Sequence, residues 1–273
     1  MAIGENGFST YEALASSLPA SQGLGSFPYR NYGGFWYPGH LMAPTLAMRD
    51  TFIALPSDVI LTTMPKSGNT WLKALVYCIV HRGRNPPAAN ERHPLLTSSP
   101  HELDAFVSLR HYLDEIKPEG CVSMTPFDEA FDLFCDGVSP FGPVWDHMAE
   151  YWKESVARPR EVTFLRYEHL KEDAVGCVTR LAEFLGCPFT GDEVGGGVPE
   201  AVVALCSMDR MRSVEANRDG VHGTESWSFK NSAFCRKGEV GDWKAHMTPE
   251  MARKIDGVVE EKLRGSGLSL TGK

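Results

Sequence analysis

The sequence predicts an α/β fold: a three-layer sandwich with helices on both faces of a mainly parallel central sheet. Three observations carry this. Val59, Ile60 and Leu61 form a short continuous apolar run, as expected of a strand buried on both faces. Behind them Trp71, Leu72, Leu75, Val76, Ile79 and Val80 return at helical spacing. The same grammar then repeats. EVTFLRYEHL reads as a strand running out to Tyr167, and EDAVGCVTRLAEFLG as a helix. Val175, Val178, Leu181 and Leu185 share a face of that helix, and Gly186 suits its C-terminal cap. Strands alternating with helices imply parallel pairing, because each crossover returns the chain to the same edge.

The remaining elements follow in order. Residues 1–25 are rich in Ser, Gly and Ala and carry little pattern, which predicts a flexible arm; residues 26–273 are expected to form one domain. YRNYGGFWYP holds five aromatics in ten residues and fits either an ordered loop packed on the core or a substrate gate. PFDEAFDLFCDG and PVWDHMAEYWKESV look helical, with Phe127, Phe131 and Phe134 in register. Thr248-Pro249-Glu250 is a helix start and Gly265 a stop.

The totals narrow the function. The chain has 273 residues, 42% of them hydrophobic, enough for one large core or two modest ones. A formal charge of -8 argues against general nucleic-acid binding, so any anion site must be a local basic pocket. Seven cysteines, odd in number and without CxxC or Cys/His spacing, suit a reducing, cytoplasmic setting and predict no metal site. No apolar run is long enough to span a bilayer, so no membrane role is expected.

Two motifs bear chemistry. PKSGNTW, Pro65 to Trp71, joins the first strand to the first strong helix. Unpaired amides and the positive end of the helix dipole attract anions there, and a lysine, polar side chains and a glycine suit phosphate or sulfate. A nucleotide-binding P-loop would need Gly-Lys-Ser/Thr in that order, whereas here Lys66 precedes Gly68. A magnesium-dependent NTPase is therefore disfavoured. The second motif, FCRKGEVGDWK, sets Arg236 and Lys237 before Gly238. A guanidinium fork, a point charge and a bare backbone can grip a dianionic phosphate, or simply form a solvated basic loop.

Together, PKSGNTW and RKGEVGDWK resemble the cytosolic sulfotransferases, the plant branch most closely. HPLLTSSPHEL, PFDEAFDLFCDG, FLRYEHLKED, RLAEFLGCPF, ALCSMDRM and EEKLRGSGL extend the likeness over nearly the whole chain. The resemblance implies transfer of a sulfuryl group from 3'-phosphoadenylyl sulfate (PAPS) to a hydroxyl of a small phenolic, flavonoid, steroid or terpenoid acceptor. It implies a P-loop-like sulfotransferase fold, a monomer or weak homodimer, and no metal. Carried over, Lys66, Ser67, Gly68, Asn69, Thr70 and Trp71 are similar to the 5'-phosphosulfate loop. Asn69 stands where the family usually has Thr, and its amide can still donate. Trp71 would stack on adenine, although its place in the apolar stripe also permits a core role. Tyr167 matches a tyrosine near the adenine, and Cys206, Ser207, Met208 and Met211 a nucleotide-contacting turn. Phe234, Arg236, Lys237 and Gly238 match the 3'-phosphate grip.

The chain also departs from the family. The segment with the family's catalytic histidine and the strand with another phosphate-binding arginine are both missing from SLRHYLDEIKPEGCVSMTPFDEAF, so the chain is internally shortened around 108–126. Ser123, in VSM, is what remains of the phosphate-contacting serine stretch. His111 is the one histidine in the right region for a base, although a surface-helix histidine beside Arg110 and Asp114 is the reading its context favours. The expectation is a recognisable donor site with weak turnover, or a non-catalytic relative that keeps nucleotide or acceptor binding.

Overall fold

A computed structural model describes residues 5–87, 105–116, 124–224, 227–234 and 241–270. In chain order its elements begin with α1 (Glu5–Ser17), β1 (Ala20–Ser21), β2 (Tyr29–Tyr32), β3 (Phe35–Pro38), α2 (Gly39–Thr51) and α3 (Asn69–His81). Then come α4 (Ala105–Glu115), α5 (Phe127–Cys135), α6 (Val144–Ala157), α7 (Tyr167–Glu172) and α8 (Ala174–Phe184). The chain continues through α9 (Gly191–Gly195), α10 (Val198–Leu205), α11 (Met208–Ser213) and α12 (Glu215–Arg218). It ends with β4 (Val221–Thr224), β5 (Trp227–Lys230), 3-10 turns at Asn231–Phe234 and Asp242–Ala245, and α13 (Pro249–Leu263). Where one domain was expected over 26–273, the backbone divides into two compact units. The first comprises Met1–Ile60, Lys117–Lys153 and Met247–Lys273, the second Leu61–Ile116 and Glu154–His246.

In the first unit, the stretch expected to be a flexible arm is ordered from Glu5. Tyr11 and Ala15, one helical turn apart, pack on Met42, Ala43 and Leu46 of α2, and that burial outweighs a composition poor in pattern. The aromatic run folds as the β2–β3 hairpin, with Tyr32 opposite Phe35 across Gly33 and Gly34. Both glycines have positive φ, 62° and 91°, which a two-residue hairpin turn demands. Tyr29 is almost fully buried, so the packing reading holds for that end of the run. Phe131 and Phe134 of α5 are buried as their register predicts. Thr248 caps α13 by accepting from the Met251 N–H.

The second unit holds a cluster of buried apolar residues built on three helices. Trp71, Ala74, Leu75, Cys78 and Ile79 of α3 meet Cys177, Val178, Leu181 and Ala182 of α8 and Val202 and Leu205 of α10. Helix α8 is tightly bounded. The Asp173 carboxylate accepts from the Gly176 N–H at 2.9 Å, and a Cβ at position 176 would sit 2.0 Å from that carboxylate, so a larger residue there would make the capping side chain shift. At the other end Gly186 (φ 69°) donates to Glu183 O and Cys187 to Ala182 O, a Schellman closure.

The predicted α/β order of helices is present, and the sheet is smaller than that order predicts. The ladders among the described residues are antiparallel: β1-β2-β3, with two-stranded β4-β5 in the second unit. Val59–Leu61 and residues 162–166 run without strand assignment, and Val59 and Ile60 are exposed at 55% and 60%. A buried strand exists only where a neighbouring strand pairs its N–H and C=O groups, and neither run belongs to a ladder among the described residues.

Candidate functional site

The turn before α3 is built by its own backbone. The Ser67 N–H and hydroxyl both donate to Met64 O, at 3.2 and 2.7 Å. Gly68 adopts φ 114°, ψ 2°, and its carbonyl accepts from the Leu72 N–H at 2.9 Å, opening the helix. Lys66 is also left-handed, with φ 66°, a conformation uncommon for a residue with a Cβ. The N-cap of α3 is Gly68, which has no side chain, and no acid lies in the first turn, so the positive helix end suits an anion.

Lys66 is buried, at 7% exposure. Its ammonium donates to Ala233 O at 3.2 Å and lies over the Tyr112 ring, 4.8 Å from the centroid. Tyr112, on α4, meets Phe229 of β5 edge-on at 5.8 Å. Burial pushes the Tyr112 phenol up to about 12, so it is neutral at physiological pH. Two buried polar atoms beside the turn, Asn69 Oδ1 and Trp71 Nε1, have no hydrogen-bond partner. Such orphans are costly unless a ligand or water meets them; Trp71 Nε1 is a donor that an anion can satisfy, whereas Asn69 Oδ1 only accepts, so Asn69 would meet an anion through its NH2. The residues therefore fit the phosphosulfate end of a nucleotide donor.

The other expected site residues fall in several places. Trp71 is buried and meets Tyr167 edge-on at 5.6 Å, with the Lys171 ammonium 5.9 Å from its ring centroid. Its core role is thereby realised. Thr70 is buried on the first turn of α3. Cys206 and Met211 are buried in the α3–α8–α10 cluster, and Met208 packs against it. Ser207 caps α11, its hydroxyl accepting from the Arg210 N–H. The Cys206 thiol lies 3.6 Å from the Cys78 sulfur, and that contact together with burial raises its pKa well above the usual thiol range. Phe234 ends the 3-10 turn that presents Ala233. Ser123, Arg236, Lys237 and Gly238 lie outside the described residues.

His111 sits exposed on α4, with Arg110 and Asp114 paired at 3.4 Å beside it. Its ring meets that of His246 at 5.1 Å, and His246 Nε2 in turn lies 3.4 Å from the buried Asp242 carboxylate. Sequence reasoning missed Tyr112 and the Ala233 carbonyl. Tyr112 carried a weak signal as the aromatic beside His111; a backbone carbonyl carries none. Among the described residues no His/Cys/Asp/Glu group could hold a metal ion, and no helix is long and apolar enough to cross a membrane.

Comparison with known proteins follows the same residues. A sulfotransferase-domain family model matches residues 56–103 and 101–267. Cytosolic sulfotransferase 15 of Arabidopsis thaliana is 35% identical over 314 aligned positions, covering 95% of this chain and 86% of the relative. Cytosolic sulfotransferase 8 of the same plant is 36% identical over 312 positions, covering 95% and 92%. Both alignments are longer than the 273-residue chain, so part of each relative faces no residue here. Among solved structures, a candidate steroid sulphotransferase of Arabidopsis thaliana superposes with TM-score 0.72 at 27% identity, over 99% of both chains. Mouse sulfotransferase SULT7A1, solved with PAP, shares the fold with TM-score 0.59 at 20% identity, covering 87% of this chain and 95% of that one. By the family match and by relatives above a third identity along nearly its whole length, this chain belongs to the plant-type cytosolic sulfotransferases.

Proposed function

We propose that this protein binds PAPS and transfers its sulfuryl group to a hydroxyl of a small acceptor of phenolic, flavonoid, steroid or terpenoid type. The observation that supports it most is the turn at Lys66. A buried ammonium, a left-handed glycine and an uncapped helix start converge there, and its amine reaches the carbonyl of Ala233, three residues before Arg236. The two ends of an elongated polyanionic nucleotide would thus be gripped by the Lys66 turn and by the chain that follows Ala233. When bound, the donor supplies the sulfuryl group and its own leaving oxygen.

Lys66 would stabilise the charge that gathers on that oxygen as the acceptor oxygen bonds to sulfur. Ser67 and Thr70 hydroxyls and the Asn69 amide would fix the anion, while Arg236, Lys237 and Gly238 would hold the 3'-phosphate, with Ser123 as a further contact. Phe234, Tyr167, Met208 and Ser207 would border the adenine side. His111 is the candidate base for the acceptor proton. The setting is cytoplasmic, in keeping with the names of the relatives.

A second reading is favoured by one observation: His111 is exposed on a helix whose sequence lacks the family's histidine segment. On that reading the chain keeps nucleotide or acceptor binding without efficient turnover. A lost base typically removes about 10²–10⁴-fold in rate. Radiolabelled sulfate transfer to a panel of phenols, flavonols, steroids and hydroxylated terpenoids, alongside calorimetry with the desulfated product nucleotide, separates the two. We expect product nucleotide to bind and turnover to be weak. Arg236→Ala should weaken nucleotide binding by about 1.5–3 kcal/mol, one charge-assisted bond. Lys66→Ala should slow transfer more than it weakens product binding, because its charge partner develops in the transition state. Absence of nucleotide binding by the intact chain would reject the first reading and confine the second to acceptor binding.

A further inference from the structure

We infer that Tyr112 is the positioning residue of Lys66: its ring face holds the ammonium at the donor turn while the Ala233 carbonyl yields its place to an incoming anion. The inference rests on the donor-site reading and assigns a role to a residue that no motif marks.

A lysine at 7% exposure must have its charge met, because a bare buried ammonium is prohibitively costly. Two groups that meet it are neutral and different in kind. The Ala233 carbonyl, 3.2 Å from Nζ, is an ordinary acceptor. The Tyr112 ring, with its centroid 4.8 Å from Nζ, offers the negative face of its quadrupole. A phosphate or sulfate oxygen is a far better acceptor than an amide carbonyl, so it displaces that bond. An aromatic face does not compete for the same N–H direction and can stay in place through the exchange.

The ring is itself held. Tyr112 lies between buried Leu109 and Leu113 in sequence on α4, and Phe229 meets it edge-on. Phe229 and Ala233 are four residues apart, so a single segment, 229–233, props the aromatic face and supplies the exchangeable carbonyl. The left-handed backbone of Lys66, at φ 66°, belongs to the same arrangement. Strain of this kind persists only where surrounding contacts fix it, and the two contacts on the ammonium are such a fixture.

The test uses the intact chain with Tyr112→Met, which fills the space without a ring, and Tyr112→Phe, which keeps the face. The first readout is the rate at which Lys66 is reductively methylated by formaldehyde and cyanoborohydride, followed on its tryptic peptide by mass spectrometry. The second is calorimetric affinity for the product nucleotide. Tyr112→Met should raise Lys66 labelling and weaken nucleotide binding, each by about 2- to 30-fold, the range of one desolvated cation–π contact. Tyr112→Phe should restore both to within about twofold of the parent. Folded Tyr112→Met with parental labelling of Lys66 overturns the inference, whatever the nucleotide does. Faster labelling in a chain that never binds nucleotide upholds the contact and sinks the donor reading instead. If Tyr112→Met does not fold, Tyr112→Leu takes its place under the same criteria.

Discussion

Two neighbouring stretches of this chain have similar apolar content and opposite fates. In α3, Trp71, Ala74, Leu75, Cys78 and Ile79 are all buried. Just before it, Phe52, Ile53, Leu55, Val59 and Ile60 stand 57%, 81%, 60%, 55% and 60% exposed. Composition does not separate them; partners do. A helix satisfies its own backbone and needs only another apolar stripe, which α8 and α10 provide. An extended run needs a hydrogen-bonding neighbour before its side chains can be covered, and no described residue pairs with this one. The alignments with relatives run longer than the chain itself, so segments that relatives possess have no counterpart here.

The sharpest way to break that comparison is to hollow the packed side. Leu75 is fully buried between α3 and its partners, so Leu75→Ala should cost about 2–5 kcal/mol in urea unfolding, the transfer term plus an unfilled cavity. A loss under about 1 kcal/mol would mean the cluster is loosely packed and the contrast with residues 52–60 is illusory.

A smaller effect is expected where α3 ends. Arg82 holds Glu193 through two bonds, at 2.7 and 3.1 Å, and also donates to the carbonyls of Ile79 and Pro188. Glu193 reciprocally caps α9 through the Thr190 N–H. Glu193→Gln should cost about 1–2 kcal/mol, because it removes a charge-assisted pair around a guanidinium that is only 11% exposed. The pair also fixes a pH dependence. The Arg82 bonds, with the Thr190 N–H, hold the Glu193 carboxyl below its usual range. Its contribution is therefore fully present above the unfolded carboxylate pKa, about 4.3, and is lost as pH falls through the lower folded value. The melting temperature of the parent should drop more steeply through that acid window than that of Glu193→Gln. Parallel curves would remove the pair from the account of α3's stability.

What could be read from the sequence follows the same line. The α3 stripe, Gly186 at the end of α8 and Thr248 at the start of α13 are local signals, and each appears where spacing puts it. The turn ahead of α3 was legible too, because a glycine and a helix start within a few residues constrain the backbone directly. The sheet was not legible, since pairing depends on residues far away in the chain, and Val59–Leu61 carries the pattern of a strand without its neighbours. Nor was α1, whose burial rests on packing against α2, a partner more than twenty residues away in the chain. Inside the site the same limit holds. Lys66 is named by its motif, while Tyr112 and the Ala233 carbonyl reach it across separations that no local pattern records.

The smallest expected effect is the most telling. If Val59 and Ile60 have no covering partner, replacing both with serine removes apolar surface from water on the folded and unfolded sides alike. The change in unfolding free energy should then stay within about 0.5 kcal/mol, the range of ordinary surface substitutions. Exposed apolar surface with free backbone edges also favours self-association, so the serine variant should bind less hydrophobic dye and remain monodisperse to higher concentration. The contrary result is equally concrete. A loss of about 2 kcal/mol or more is what burying two such side chains would predict. It would show that the run is covered in solution, by a strand partner or by a second copy, and light scattering at increasing dilution would tell those two apart. A stability change confined to concentrated samples would point to the second copy; one independent of concentration would restore a paired strand ahead of the Lys66 turn.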